Sequence, residues 1–303
     1  MNVNIKKITT EGRNQNTLDI DKVSTREILV KLNNEDKTVA YAVEKAIDDI
    51  AKCVDMVYEV FMNDGRLIYI GAGTSGRIGL IDAVECRPTY GVSPEMVQCL
   101  MAGGVGAMVQ AVEGAEDSKT MAVEDLKRIN LTSKDIVIGI AASGRTPYVI
   151  GGIEYAKAVG AKTASITTSA NTVLSSLVDC PIEAVTGAEP ITGSTRMKSG
   201  TAQKMICNMI STASMVKMGK VYGNLMIDVQ ATNEKLVARS ISIIKEITGL
   251  VDEEAKIAFE KYGSVKKTIL GILANIEKEE VETILDKHKG NIRKALQEVG
   301  IND

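Results

Sequence analysis

The chain is nearly devoid of histidine. The only one, His288, sits in the charged stretch KHKGNIRK near the end of 303 residues, which excludes histidine-based triads and histidine-rich metal sites. Cys53, Cys86, Cys99, Cys180 and Cys207 are odd in number and scattered, with no CxxC pair, so buried reduced thiols are expected rather than a zinc site or a disulfide framework. A basic excess is also missing: a net charge of -3 gives no electrostatic footprint for nucleic acid. The start, MNVNIKKITTEGRNQNT, lacks the apolar stretch of a signal segment, and no later run approaches a membrane span. The expectation is a cytoplasmic protein whose acid–base chemistry comes from carboxylates, lysines or tyrosines.

What is present is a change of hydrophobic period. Residues 1–35 are polar, and Val39, Val43, Ile47, Ile50, Val54, Val57 and Phe61 then recur every three or four positions, which predicts one helix with a single buried stripe. Asn63-Asp64-Gly65 ends it, and LIYIGAG reads as a buried strand entering a glycine turn. Four further apolar runs, MVQCLM (96–101), DIVIGIA (135–141), TASITT (163–168) and CPIEAV (180–185), alternate with helical stretches. That alternation predicts an α/β fold with a doubly wound, five-stranded parallel sheet. A long helix is predicted over 195–218 and an all-helical C-terminal extension from 225, ending in three short amphipathic segments.

One internal echo stands out. YIGAGTSGR (69–77) and GIAASGRTP (139–147) both place Ser-Gly-Arg after a strand and before a helix. A helix N-terminus presents unpaired N–H groups and a positive dipole end, and nearby hydroxyls add donors suited to a terminal phosphate. Gly73, Thr74 and Ser75 in the first loop, and Ser143, Gly144 and Thr146 in the second, are the candidates; tight turns alone would explain the glycines but not the hydroxyls. Gly71, Gly73 and Gly76 also satisfy GxGxxG, but the second strand runs into Ala102-Gly103-Gly104 without the acidic residue that would hold a ribose, which argues against a dinucleotide.

At these residues the chain resembles the sugar isomerase (SIS) fold. The stretches ITTEGRN, LIYIGAGTSGRIGLIDAVEC, AVEGAED, GIAASGRTPYVIGG, GAEPITGSTRMKSGTAQK and YGNLMIDVQATNEKL are similar to the N-acetylmuramic acid 6-phosphate etherase family over roughly residues 8–240. Part of the pattern is shared with the glucokinase regulatory protein, a noncatalytic relative. The resemblance implies an N-terminal helical segment (1–55), a phosphosugar-binding SIS domain (56–220) and a C-terminal helical region (221–303), whose end looks like a small three-helix, ubiquitin-associated type. It also implies N-acetylmuramic acid 6-phosphate as the small-molecule partner, cleavage of its lactyl ether, no cofactor or metal, no membrane, and a homodimer.

Glu85, in DAVEC, and Glu116, in VEGAED, match the family's catalytic pair. The resemblance implies that Glu85 protonates departing lactate and that Glu116 takes the C2 proton and activates water. Asp82, Glu113 and Asp117 lie within a turn of these candidates, and a solvated helix glutamate remains the bland alternative for either. Ser194, Arg196 and Lys198, with Thr195, stand at the predicted start of the long helix, where a cation or hydroxyl would suit the lactyl carboxylate and helix capping is an equal reading.

Overall fold

The described residues of the computed structural model are 12–110, 112–230 and 233–301, so the start of the ITTEGRN stretch lies outside them. Five strands, β1 (Leu67–Gly71), β2 (Val97–Met101), β3 (Ile136–Ile140), β4 (Lys162–Thr167) and β5 (Cys180–Glu183), form a parallel sheet in the order β2-β1-β3-β4-β5. β1, β2, β3 and β5 fall within runs expected from the sequence and β4 begins one residue before its run, at Lys162; a strand covered on both faces needs continuous apolarity, and β1 and β3 are buried at every position. The order reverses direction at β1, whose neighbours are β2 and β3. Such a switch point leaves a crevice at the carboxyl ends of the strands. The two Ser-Gly-Arg loops follow β1 and β3.

The predicted first helix is two. α1 (Thr25–Glu44) reaches back into the polar stretch because Ser24 and Glu27 form a reciprocal capping box, and α2 (Ile47–Met62) starts after a break at Lys45-Ala46. The break shifts the helical phase, so Ile47 is 44% exposed while Val43 and Ile50 stay buried. α3 (Gly73–Tyr90), α4 (Lys119–Arg128), α5 (Pro147–Val159) and α6 (Lys198–Lys217) complete the layers. Successive residues of β1 serve opposite faces: Ile68 and Ile70 join the core formed with Ala122, Leu126 and Ile153 of α4 and α5. Tyr69 faces the other way, its hydroxyl donating to Asp82 of α3 at 3.0 Å.

The chain divides into two compact units. One reaches to Val84 and resumes over Pro94–Ser211, carrying the sheet; the other comprises Glu85–Ser93 and continues from Thr212. Where an all-helical extension was expected, the second unit contains a small antiparallel hairpin, β6 (Val221–Tyr222) and β7 (Leu225–Met226). The two strands are short enough to carry no periodicity. Helices α7 (Glu234–Thr248), α8 (Asp252–Tyr262), α9 (Val265–Ala274), α10 (Lys278–Lys287) and α11 (Ile292–Glu298) follow. Their core holds Ile244, Ile269, Leu270, Val281 and Leu296.

Candidate active site

A cleft of about 370 Å³ opens at the carboxyl ends of β1 and β3, bordered by Gly73, Thr74, Ser75, Ser143, Arg145 and Thr146 from the two loops. Glu116 and Asp117 form another side, and Gly193 and Thr195 a third. Five of the predicted phosphate residues therefore share one surface. Gly144 lies beneath it: its N–H donates to Ala141 O at 3.1 Å and its carbonyl accepts from Leu174 N at 3.1 Å. Its φ of +63° and the absence of a Cβ, which would meet Thr172 at 2.4 Å, let the loop fold back there.

The hydroxyls are placed unequally. Ser75 Oγ donates to Gln203 Oε1 at 2.9 Å, and Gln203 is buried with its Nε2 lacking a partner among the described residues. The Thr74, Ser143 and Thr146 hydroxyls border the cleft without a hydrogen bond to any described residue. Thr146 is the N-cap of α5 yet makes no side-chain cap bond, although Ser24, Ser118, Asn233, Ser264 and Asn291 each cap their own helix. With Pro147 at the first helical position, the unused N–H groups of α5 start at Tyr148. Hydroxyls and a helix end of this kind suit an anion bound in the cleft.

Glu116 is exposed on a short 3₁₀ turn, Ala115–Asp117, whose N-cap Gly114 is left-handed. It borders both the main cleft and an adjoining one of about 220 Å³. Arg77 donates to the carbonyls of Met108 and Ala107 at 3.1 and 2.8 Å, tying the segment before Glu116 to α3. Glu85 is exposed on α3 and borders neither cleft. Asp82, one turn before it, is buried and accepts from Tyr69, Asn208 and Ser211. Desolvation holds its carboxyl above the usual range against those bonds. Cys99 donates to Gly76 O at 3.4 Å, and desolvation, helped by the Asp82 charge, pushes its thiol up to about 12, so it is no nucleophile.

The start of α6 departs from the sequence expectation. Lys198 does not face the cleft: it is buried, and its ammonium lies 2.7 Å from Glu35 Oε2. Glu35 also accepts from Asn14 and Asn16 at 2.7 Å each. The N–H groups of Lys198 and Ser199 go to the two carboxylate oxygens of buried Glu189, at 2.8 and 2.9 Å. The positive end of this helix is already answered by a protein carboxylate, which leaves it no call for a substrate anion. Ser194 and Arg196 do not border the cleft, whereas their neighbour Thr195 does. Gln203 was missed because a single polar residue inside a helix reads as part of a solvated face. Glu189 was missed because its bonds depend on a turn.

The chain is 54% identical over 299 residues to an N-acetylmuramic acid 6-phosphate etherase of Clostridium botulinum (strain Okra / Type B1), covering 98% of this chain and 99% of that protein. It is 55% identical over 298 residues to the same-named protein of Clostridium beijerinckii, covering 98% of each. A model of the glucokinase regulatory protein N-terminal SIS domain matches residues 49–157, and the SIS domain model matches 105–213. Among solved structures, a putative phosphosugar isomerase involved in capsule formation from Bacteroides fragilis aligns with a TM-score of 0.51 at 21% identity, covering 66% of this chain and 95% of that one. That likeness shows the fold.

Proposed function

Because the chain belongs to the N-acetylmuramic acid 6-phosphate etherase family, we propose that it cleaves the D-lactyl ether of N-acetylmuramic acid 6-phosphate, as a carbon–oxygen lyase, to give N-acetylglucosamine 6-phosphate and D-lactate. The observation that carries the reading is near-full-length identity above one half, in a chain whose Glu116 borders the same cleft as two hydroxyl-bearing loops. The role that fits it is recycling of cell-wall sugar in the cytoplasm, by a homodimer. Small and apolar residues along Met205–Met218 would suit a dimer seam, and sedimentation showing only monomer at micromolar concentration would reject it.

The ether at C3 is not an acetal, so protonating its oxygen yields no stabilised oxocarbenium ion. With the sugar ring open, the C2 proton is α to the C1 aldehyde. Glu116 takes that proton, the C3–O bond breaks, and the departing lactate oxygen is protonated by Glu85, a role taken from the match of DAVEC to the family's catalytic pair and not from the cleft lining, which lacks Glu85. After Glu116 has passed the C2 proton to solvent and Glu85 has regained one from it, Glu116 takes a proton from the water that adds at C3 of the alkene and delivers it to C2, which completes the product. Thr74, Ser75, Ser143 and Thr146, with the N-terminal ends of α3 and α5, hold the phosphate. Incubating the protein with N-acetylmuramic acid 6-phosphate and assaying lactate tests the reading. Folded protein that binds the sugar phosphate but releases no lactate would favour the second reading, a noncatalytic phosphosugar-sensing regulator, which rests on the match to the glucokinase regulatory protein model.

A further inference from the structure

The substrate of the proposed reaction carries two anions, a phosphate and the lactyl carboxylate. The two loops answer the first with neutral donors. Basic residues near the cleft are mostly engaged elsewhere: Arg77 by the carbonyls of Ala107 and Met108, Lys198 by Glu35, Lys119 by Glu154. Arg145 is different. It is exposed, it borders the cleft between Ser143 and Thr146, and it makes no hydrogen bond or ion pair with any described residue. It is the only lysine or arginine among the described residues bordering that cleft.

We infer that Arg145 receives the lactyl carboxylate and makes the site selective for a sugar phosphate that carries one. A guanidinium offers paired N–H donors matched to a carboxylate, which gives orientation as well as attraction. Glu116 and Asp117 border the same cleft without pairing to Arg145, so its donors stay available to a third carboxylate. Fixing the lactyl end at Arg145 and the phosphate at the loops defines two points of the sugar chain and so orients the C2–C3 bond. The same contact stabilises lactate as a leaving group.

The inference rests on the proposed substrate, and its test separates the two. Arg145→Gln alters an exposed side chain that makes no hydrogen bond or ion pair with any described residue. It should weaken equilibrium binding of N-acetylmuramic acid 6-phosphate roughly 10- to 100-fold, the loss of a charge-assisted pair. Binding of N-acetylglucosamine 6-phosphate, which lacks the lactyl group, should change less than about threefold, since only interactions with the missing anion are removed. The carboxamide of the substrate should bind the unaltered protein poorly and the variant about as well as the acid does; Arg145→Lys should restore part of the preference. Equal weakening toward both sugar phosphates would assign Arg145 to the phosphate, and unchanged binding of both would remove it from the site; either overturns the inference. Absence of lactate release from the unaltered protein would instead count against the reaction, leaving the carboxylate preference to be read from the binding constants.

Discussion

Ser75 and Ser143 occupy equivalent places in the two loops but are not equivalent donors. The Ser143 hydroxyl has no hydrogen bond to any described residue and can meet a ligand, whereas the Ser75 proton goes to Gln203. For Ser75 to donate to a phosphate, the Gln203 amide must turn and present its Nε2, which has no partner among the described residues, to Ser75 Oγ. Ser143→Ala and Ser75→Ala should each raise KM, by roughly 1.5–3 kcal/mol where a charge-assisted bond is lost. The smaller loss belongs to Ser75, whose bond replaces an internal one. Equal KM values for both variants and the unaltered protein would show that the phosphate lies elsewhere. The carboxylates separate by isotope. Glu116→Gln should abolish both lactate release and solvent deuterium exchange at C2, while Glu85→Gln should retain exchange and lose most lactate. In heavy-oxygen water the label should enter the sugar C3 hydroxyl; label in lactate would mean cleavage on the other side of the ether.

The loops were legible in the sequence because everything that makes them is local: a buried strand, a glycine turn and a helix start within nine residues. Lys198 was misplaced for the opposite reason. Its partner Glu35 lies 163 residues away, and no pattern within a helix announces that its ammonium turns inward.

Among the elements, β1 and β3 were visible because full burial leaves an uninterrupted apolar run, whereas β2, β4 and β5, which carry Gln98, Thr163 and Ser165, and Glu183, were legible from their alternation with helical stretches. The break between α1 and α2 was not, since the apolar spacing continues across Lys45-Ala46 and only the exposure of Ile47 reveals the phase shift. The β6–β7 hairpin is too short for periodicity. The second loop also yields an element-scale prediction. Gly144→Ala places a methyl 2.4 Å from the Thr172 side chain on a backbone with φ of +63°. Strain at the left-handed position costs about 1–3 kcal/mol before the clash is counted. The variant should melt lower and, because the loop from Ser143 to Thr146 shifts with Gly144, show a higher KM. An unaltered melting temperature would mean that the loop relaxes without cost.

At the scale of the whole molecule, stability should depend on acid through the carboxylates held inside the first unit. Burial raises the Glu35 carboxyl, but hydrogen bonds from Lys198, Asn16 and Asn14 outweigh it and leave the group below its ordinary range. Asp135 behaves alike: burial raises it, while Arg66 and the Thr132 N–H hold it low, with Arg66 Nη2 at 2.7 Å and the Thr132 N at 2.8 Å. A carboxylate whose pKa is depressed on folding contributes stability that is fully present above the unfolded value, about 4, and is lost as pH falls through the folded value. Asp82, raised by desolvation, has the opposite sign: its contribution is present below the unfolded value and is lost as pH rises through the folded one. Urea midpoints should therefore hold level through neutral pH and fall below about pH 4, where Glu35 and Asp135 protonate. Glu35→Gln leaves the Lys198 ammonium buried without its counter-charge and should lower stability at pH 7 by about 3–5 kcal/mol. The same variant should show a shallower acid limb, so that its curve converges on that of the unaltered protein at low pH. Parallel curves across the whole range would mean that Glu35 acts through packing and its neutral hydrogen bonds, and that the acid dependence arises elsewhere.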